Sequence, residues 1–373
     1  MIISIPSLKA KLKMKYLFLI LFFTVNLIAQ ENESKKDTTA TNSDRSLFIE
    51  DYNNQLNIKF DVSNEIENYY IPFDQGILNI RPNLGINYAL VFNYRFVSLR
   101  LGIRPKPSSE SIENKGKTNS FRMSIKFLFD KWNHQFEYNY IEGYYVNNST
   151  DIFSELSGSD SNRHVQFPSL TTSIFSGSSL YKINKNYSLK ATESQTEVQL
   201  KSIGTFMPRI DYRIYSIYGS ELFINKQGEE IQRDHYNTYL GLNTVFNIGY
   251  YYTFVHKKNW YLNLFAIPGI GFDLYENTKV TMEDTSDNTY FDLLISFQTG
   301  AGLGYNSKRY YFGTEYNHRL TNDKYDGERI QFYTTKNEFH IFIGYRFKAP
   351  KSIRKSVDMI EEKVPMLNDR KKK

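Results

Sequence analysis

The chain lacks cysteine, is poor in tryptophan and has one long hydrophobic run. Among 373 residues there are 0 Cys and 2 Trp. Without cysteine, disulfides, thiolate metal sites and lipoprotein processing are excluded. The hydrophobic run lies within residues 16–28, and the rest of the chain contains no candidate transmembrane helix. The mean hydropathy of -0.51 is, taken alone, that of a soluble protein.

The aromatic content favours a membrane-spanning β-barrel over a soluble protein. There are 30 Tyr and 28 Phe, and 16% of the chain is aromatic. Aromatic residues favour β-strands, and a membrane-spanning barrel conceals its apolar residues at alternate positions, so its average hydropathy looks soluble. The net charge of +6 is concentrated at the two ends of the chain. It is weak evidence for a nucleic-acid partner, and we expect none.

The N-terminus of the chain predicts a signal peptide for export, and the C-terminus predicts a charged tail. Residues 1–29 resemble a secretory signal peptide, because Lys11, Lys13 and Lys15 precede the apolar run and Ala29 offers a cleavage site. The initiator is Met1 or Met14. Residues 30–46 are polar and predict a flexible linker. Residues 349–373 predict a charged periplasmic tail with a short helix near 352–363.

Alternation with a period of two dominates residues 47–348. Apolar side chains occupy every second position in 121–129 and 339–347, and polar, charged or Gly residues lie between them. Such a pattern suits a soluble sandwich or a membrane barrel. Long alternating stretches, an asymmetry between short turns and long loops, and a last strand ending at Phe347 favour the barrel. The sequence therefore predicts an all-β, antiparallel outer-membrane barrel with short periplasmic turns and longer extracellular loops.

The strand count follows from placing both termini in the periplasm, which requires an even number. We predict twelve strands, with fourteen as the fallback. The segment 187–219 is too long for one crossing, so either an insertion folds into the lumen there or two strands occupy it. The predicted strands are 54–62, 77–93, 97–104, 119–129, 134–146, 168–183, 187–219, 236–254, 259–275, 290–306, 309–320 and 331–347, and the long loops are 63–76, 105–119, 147–167, 220–235, 276–289 and 321–331.

Charged residues recur on the predicted inner face. Buried charges must be paired or hydrated, so opposite charges that pair across neighbouring strands in a narrow lumen are one interpretation. A weakly cationic path for small or anionic solutes is the other. The candidate lumen residues are Arg100, Arg122, Lys126, Glu137, Arg209, Asp211, Arg213, Glu315 and Arg319.

Signals of catalysis are few. His318, predicted to face lipid, and His340, predicted to face inward, are the candidates for a membrane enzyme. The glycines of 300–304 lie within a strand pattern, where they make room in the lumen and do not form a nucleotide loop. We expect no catalytic residue, no metal and no cofactor.

Several local strings resemble an uncharacterised family from the Bacteroidetes, domain of unknown function family 4421. They are FIEDYNNQL at 48–56, RPN at 81–83 followed by LGINY at 84–88, EGYY at 142–145 and SLKATESQTEVQLKSIGTF at 188–206. The resemblance covers about residues 46–348 and implies an exported β-barrel-like protein without an assigned activity.

These observations favour a non-enzymatic outer-membrane barrel, either porin-like or a structural surface protein. Its expected partners are outer-membrane lipid, the barrel-assembly machinery during biogenesis, and small solutes in the lumen. A membrane-embedded enzyme acting on lipid or envelope glycan is the first alternative. A soluble periplasmic β-sandwich that binds a ligand is the second.

Overall fold

The computed structural model describes residues 45–73, 76–152, 164–220, 236–280, 285–324 and 333–363. The predicted signal peptide, most of the predicted linker and the last ten residues of the tail lie outside this part of the chain. None of the described helices is both long enough and apolar enough to cross a membrane.

The described residues form fifteen strands and four helices. The strands are β1 Ile49–Asp51, β2 Gln55–Phe73, β3 Gly76–Arg81, β4 Asn87–Tyr94, β5 Val97–Ile103, β6 Asn119–Leu128, β7 Trp132–Val146, β8 Gln166–Tyr181, β9 Glu197–Gln199, β10 Ile203–Ser220, β11 Tyr236–His256, β12 Trp260–Val280, β13 Thr285–Asn306, β14 Tyr310–Lys324 and β15 Tyr333–Lys348. The helices are α1 Ser109–Lys115, α2 Ser149–Ile152, α3 Lys190–Glu193 and α4 Lys351–Lys363.

A single antiparallel sheet closes on itself. Neighbours in sequence pair in turn from β4 to β8 and from β10 to β15, β8 pairs with β10, and β2 joins β15 to β4. The closing pair is long, running from Tyr333↔Tyr70 to Lys348↔Gln55. This confirms the predicted twelve-stranded barrel, to which β3 adds one extra strand. A soluble β-sandwich is therefore wrong, since it requires two packed sheets.

Two predicted strand boundaries are wrong. Residues 63–73 were predicted as a loop but continue β2, because the carboxylates of Glu65 and Glu67 face the polar lumen, while Ile66 lies on the outer side. The predicted strand 77–93 is interrupted after Arg81, where Pro82 has no N–H for the ladder. As a result β3 pairs with the far ends of β2 and β7, beyond the shorter strands β4 to β6.

The loop between β12 and β13, at one end of the barrel, is also shorter than predicted. The hairpin between β12 and β13 keeps its pairing as far as Val280↔Thr285, so most of the predicted loop 276–289 is strand. We call this end, which also carries α1 and α2, the loop end. The opposite end, where short turns join β4 to β5, β6 to β7, β11 to β12 and β13 to β14, is the turn end.

The outside of the barrel is apolar. Side chains such as Ile270, Ile343 and Phe291 are 71%, 59% and 58% exposed, although aliphatic and aromatic side chains are normally buried. Aromatic rings cluster near the turn end: Trp132 lies 5.0 Å from Tyr181 and Trp260 lies 5.2 Å from Tyr305, centroid to centroid. An apolar band bordered by aromatic rings is typical of a barrel in lipid.

Inward aromatic side chains cover inward glycines of neighbouring strands. A Cβ on Gly304 would lie 2.6 Å from the Tyr261 hydroxyl, and a Cβ on Gly344 would overlap the ring of Tyr311. The glycines let these rings lie flat against the wall, an arrangement that also helps a sheet to curve. The predicted room at the inward glycines is thus taken up in part by neighbouring rings.

Candidate functional site

The chain between β8 and β10 leaves the barrel wall and folds into the lumen. We call residues 182–202 the lumen insert. It contains α3 and β9, and β9 pairs with β1 from Ile49↔Gln199 to Asp51↔Glu197. Of the two alternatives for the segment 187–219, the insertion is confirmed, and the wall resumes at Ile203. Nearly every residue from Tyr187 to Gln199 is buried.

Side chains of the wall donate to backbone oxygens of the insert. Asn57 Nδ2 lies 2.8 Å from the carbonyl oxygen of Gln195, and Arg346 Nε lies 3.1 Å from the same oxygen. Beside Arg346, Asn306 Nδ2 donates to the carbonyl oxygens of Ala191 and Glu197 at 3.2 and 3.1 Å. These bonds satisfy carbonyls that no regular ladder can satisfy.

Gln195 forms the apex of this contact. Its φ of 52° is in the left-handed region, which costs a residue with a Cβ free energy, and its side chain is fully buried. Lys59 Nζ donates to Gln195 Oε1 and to the carbonyl oxygen of Glu193, both at 3.3 Å. Donors from β2 and β15 therefore hold the strained turn in place.

Further bonds join the insert to other parts of the wall. The Tyr187 hydroxyl donates to Asn263 Oδ1 at 3.1 Å and accepts from Thr253 Oγ1 at 3.2 Å. Lys126 on β6 forms an ion pair with Glu193. Because the partners belong to β2, β6, β11, β12, β13 and β15, the insert spans the lumen near the turn end.

A buried carboxylate lies at the centre of the insert. Glu197 accepts from Ser188 Oγ at 2.6 Å and forms ion pairs with Arg45 at 3.0 Å and Lys190 at 3.8 Å. Burial alone would raise the pKa of Glu197, but Lys190 and Arg45 outweigh burial and lower that pKa to about 2. Nearby, burial lowers the pKa of Lys182 to about 8.

A cavity of about 310 Å³ lies on the loop-end side of the insert. Leu189, Thr192 and Glu193 of the insert contribute to its lining. The lining also contains all nine candidate lumen residues: Arg100, Arg122, Lys126, Glu137, Arg209, Asp211, Arg213, Glu315 and Arg319.

Most charges on one side of the lumen are paired. Arg122 contacts Glu65, Glu137 at 2.8 Å and Glu338 at 3.2 Å. Lys336 joins the same group through Glu65 at 2.8 Å and Glu338 at 3.1 Å. The candidate residues omit Glu65 and Lys336, although the alternation around Ile66 would have placed Glu65 on the inner face.

The two histidine candidates lie on opposite faces of the wall. His340 faces the lumen with Nδ1 3.2 Å from Asp61, which also accepts from Arg100 at 2.6 Å. His318 shares its strand face with the exposed Tyr316, and its Nδ1 lies 2.9 Å from Asn337 Oδ1. Within the described ranges, no group of three or more His, Cys, Asp or Glu residues could hold a metal ion.

A closed antiparallel barrel that is apolar outside and polar inside defines the transmembrane β-barrel class. A family model described as domain of unknown function (DUF4421) matches residues 13–347. The chain belongs to this family. The search among curated proteins gave no match.

Three solved structures show weak similarity to the chain. The toluene transporter TodX of Pseudomonas putida is 8% identical, with 79% of this chain and 89% of that chain covered, at a TM-score of 0.27. The translocator domain of the autotransporter NalP from Neisseria meningitidis is 8% identical, with 79% and 88% covered, at 0.34. The β domain of the Bordetella autotransporter BrkA is 10% identical, with 79% and 98% covered, at 0.30. These scores are too low to transfer a function.

Proposed function

We propose that the protein is an outer-membrane barrel acting as a gated pore for small polar solutes, with the lumen insert as its gate. The observation that carries the proposal is the set of hydrogen bonds between the insert and the wall around the lumen. In this proposal the insert closes the turn end, so passage requires the insert to move.

The contacts of the insert are suited to a gate. Its bonds to Asn57, Lys59, Asn306 and Arg346 are polar, and water can replace such bonds when the insert moves, at a net cost of about 0.5–1.5 kcal/mol for each amide donor and about 1.5–3 kcal/mol for each charged donor. A small apolar cluster around Tyr187 and Leu189, packed on Met207, supports the closed position. The closed state is favoured, while the polar wall can accept water.

The outer surface supports the membrane location. β10 to β15 contain 15–22 residues each, whereas a tilted strand needs about 9–11 residues to cross a bilayer. The apolar band would contact outer-membrane lipid, with the turn end in the periplasm. Export through residues 1–29 and insertion by the barrel-assembly machinery complete the proposal, and no nucleic acid takes part.

Replacing residues 187–200 with a flexible Gly-Ser linker tests the gate. We expect low conductance of the purified full chain in planar bilayers and a large, steady conductance for the variant. The matched control is truncation after Ala349, which removes α4 and leaves the insert in place. Equal conductance of the wild type and the linker variant would contradict the gate, provided that both show heat-modifiable migration. Recovery of the protein in soluble periplasmic extracts would overturn the membrane location.

A further inference from the structure

Three arginines on two strands of the lumen wall share one carboxylate. Arg209 and Arg213 on β10 and Arg319 on β14 all line the cavity. Arg209 binds both oxygens of Asp211, with Nε 2.7 Å from Oδ1 and Nη2 2.5 Å from Oδ2. The three guanidinium groups and one carboxylate carry a formal charge of 3 − 1 = +2. Asp211 forms its ion pair with Arg209, and one carboxylate cannot neutralise three guanidinium groups.

Within the described residues, Arg319 donates to a neutral group. Its Nη2 lies 3.0 Å from Gln298 Oε1, and the same oxygen accepts from Arg209 Nη2 at 2.9 Å. No carboxylate of the described chain lies within 4.0 Å of Arg319. A single oxygen thus reaches both guanidinium groups, and an oxygen of a bound anion can bridge them in the same way.

The guanidinium group of Arg213 has more donors available to a ligand than that of Arg319. It makes no hydrogen bond and no ion pair with the part of the chain that the structure describes. The acidic groups around it include Asp211, held by Arg209, Asp273, which accepts from the Tyr215 hydroxyl at 2.8 Å, and Glu67, which lines the same cavity. Guanidinium groups have five donors in a planar fork that matches carboxylate and phosphate oxygens.

The neighbouring charges of the lumen, which begin with Lys336 directly beside Arg319 in the pairing of β14 with β15, show a different balance. There Arg104, Arg122 and Lys336 face Glu65, Glu137 and Glu338, which gives 3 − 3 = 0. The positive excess is therefore local to β10 and β14. Neutral hydrogen-bonding side chains surround it in the cavity lining: Asn243, Ser296, Asn317 and Thr321.

We propose that Arg209, Arg213 and Arg319 form a binding site for small anions, namely phosphate or carboxylate groups of a solute in the lumen. Arg319 and Arg213 supply the free donors, and Arg209 contributes from its pair with Asp211. Gln298 holds Arg209 and Arg319 together. The site deepens the proposed function by naming the solute class, and only the route of the solute rests on that function.

Titration of the detergent-solubilised full chain with inorganic phosphate and with succinate, followed by calorimetry, tests the site. We expect the wild type to bind at least one of the two anions. Arg213→Gln and Arg319→Gln should each weaken this binding roughly tenfold or more, which corresponds to the loss of one strong charge-assisted contact. Arg309→Gln is the matched control, because Arg309 is an exposed arginine at the turn end, and it should bind as the wild type does.

Two results would overturn the anion site: no binding of either anion by the folded wild type, or equal binding by all four proteins. Arg213→Gln keeps the test informative if Arg319→Gln misfolds, since Arg213 has no hydrogen bond or ion pair to lose among the described residues. Calorimetry in detergent requires no conduction. If the linker variant conducts but neither anion binds, the anion site is wrong and the gate is retained. If an anion binds to a chain that never conducts, the gate is wrong and the anion site is retained.

Discussion

Arg346, near the end of the last strand, donates through Nε to the carbonyl oxygen of Gln195 at the apex of the lumen insert, at 3.1 Å. The same guanidinium donates to Asn306 Oδ1 at 2.6 Å and to the carbonyl oxygen of Ser307. It also stacks on Tyr311, with the guanidinium carbon 5.0 Å from the ring centroid. One buried cation thus ties the insert to the strand that closes the barrel.

Arg346→Gln should make the insert easier to displace. Hydrogen bonds from a charged donor contribute about 1.5–3 kcal/mol each, and the loss of about 1.4 kcal/mol changes an equilibrium tenfold. We therefore expect the open probability in planar bilayers to rise about tenfold or more. Lys348→Gln, an exposed position two residues further along the strand, is the control and should leave conductance unchanged. A variant as closed as the wild type would show that Arg346 does not hold the insert.

Acid should weaken the insert through Glu197. The pKa of this carboxyl is lowered to about 2, below the value near 4.3 of an unfolded chain, so the folded state binds fewer protons between these values. Its contribution to stability is fully present above about pH 4.5 and is lost as the pH falls towards 2. The measurement is the free energy of unfolding in urea at several pH values from 5 to 2.5.

Glu197→Gln should flatten this pH dependence, because the variant has no proton to take up at that position. Glu110→Gln, which changes an exposed carboxylate on α1, should keep the slope of the wild type. If the slopes of the wild type and Glu197→Gln coincide over this range, another group controls the acid response.

The barrel could be predicted because its signal is local. Alternation with a period of two places each side chain inside or outside without knowledge of its partner. Placing every short turn at the same end of the barrel then gives a count of twelve strands. Length shows that 187–219 exceeds one crossing, but it does not decide between an insertion and two strands. The break between β3 and β4 also had a local signal, Pro82, which the alternation on either side of it concealed.

The contacts within the lumen had no such signal. Arg346 and Gln195 are 151 residues apart, and the acceptor is a backbone oxygen that any residue type could supply. The sequence predicts a loop at Glu65 because acidic residues are common in loops, whereas its three cationic partners are Arg104, directly after β5, Arg122 on β6 and Lys336 on β15. Which charges pair depends on strand tilt and curvature, and composition does not determine either.

Gly344→Ala should destabilise the barrel. A Cβ at this position would overlap the ring of Tyr311, which is fully buried, and overpacking of this kind costs about 1–3 kcal/mol. We expect heat-modifiable migration to be lost at a lower temperature. Gly85→Ala is the control, because its nearest atom, the carbonyl oxygen of Pro105, lies at 3.7 Å. Equal loss temperatures would mean that the ring moves aside at no cost.

Arg122 should show strong coupling to Glu137. Arg122→Gln leaves the carboxylates of Glu65, Glu137 and Glu338 with one cation fewer, and we expect the free energy of unfolding to fall by about 1.5–3 kcal/mol. Adding Glu137→Gln removes one of the carboxylates left behind, so the double variant should recover part of the loss. A double-mutant cycle in urea measures this coupling. Strictly additive losses would contradict a direct pair at 2.8 Å.

Arg95 should control the order of the C-terminal helix. Its Nη1 lies 2.7 Å from both Asp358 Oδ1 and Glu361 Oε2, which fastens α4 to the turn between β4 and β5. A helix of 13 residues is marginal in water unless tertiary contacts hold it. In Arg95→Gln we expect amide exchange in residues 351–363 to accelerate about tenfold, with exchange in β10 to β15 unchanged. Lys355→Gln removes an exposed charge from the same helix and should exchange at the rate of the wild type, and an unchanged rate in Arg95→Gln would show that contacts other than these two ion pairs order the helix.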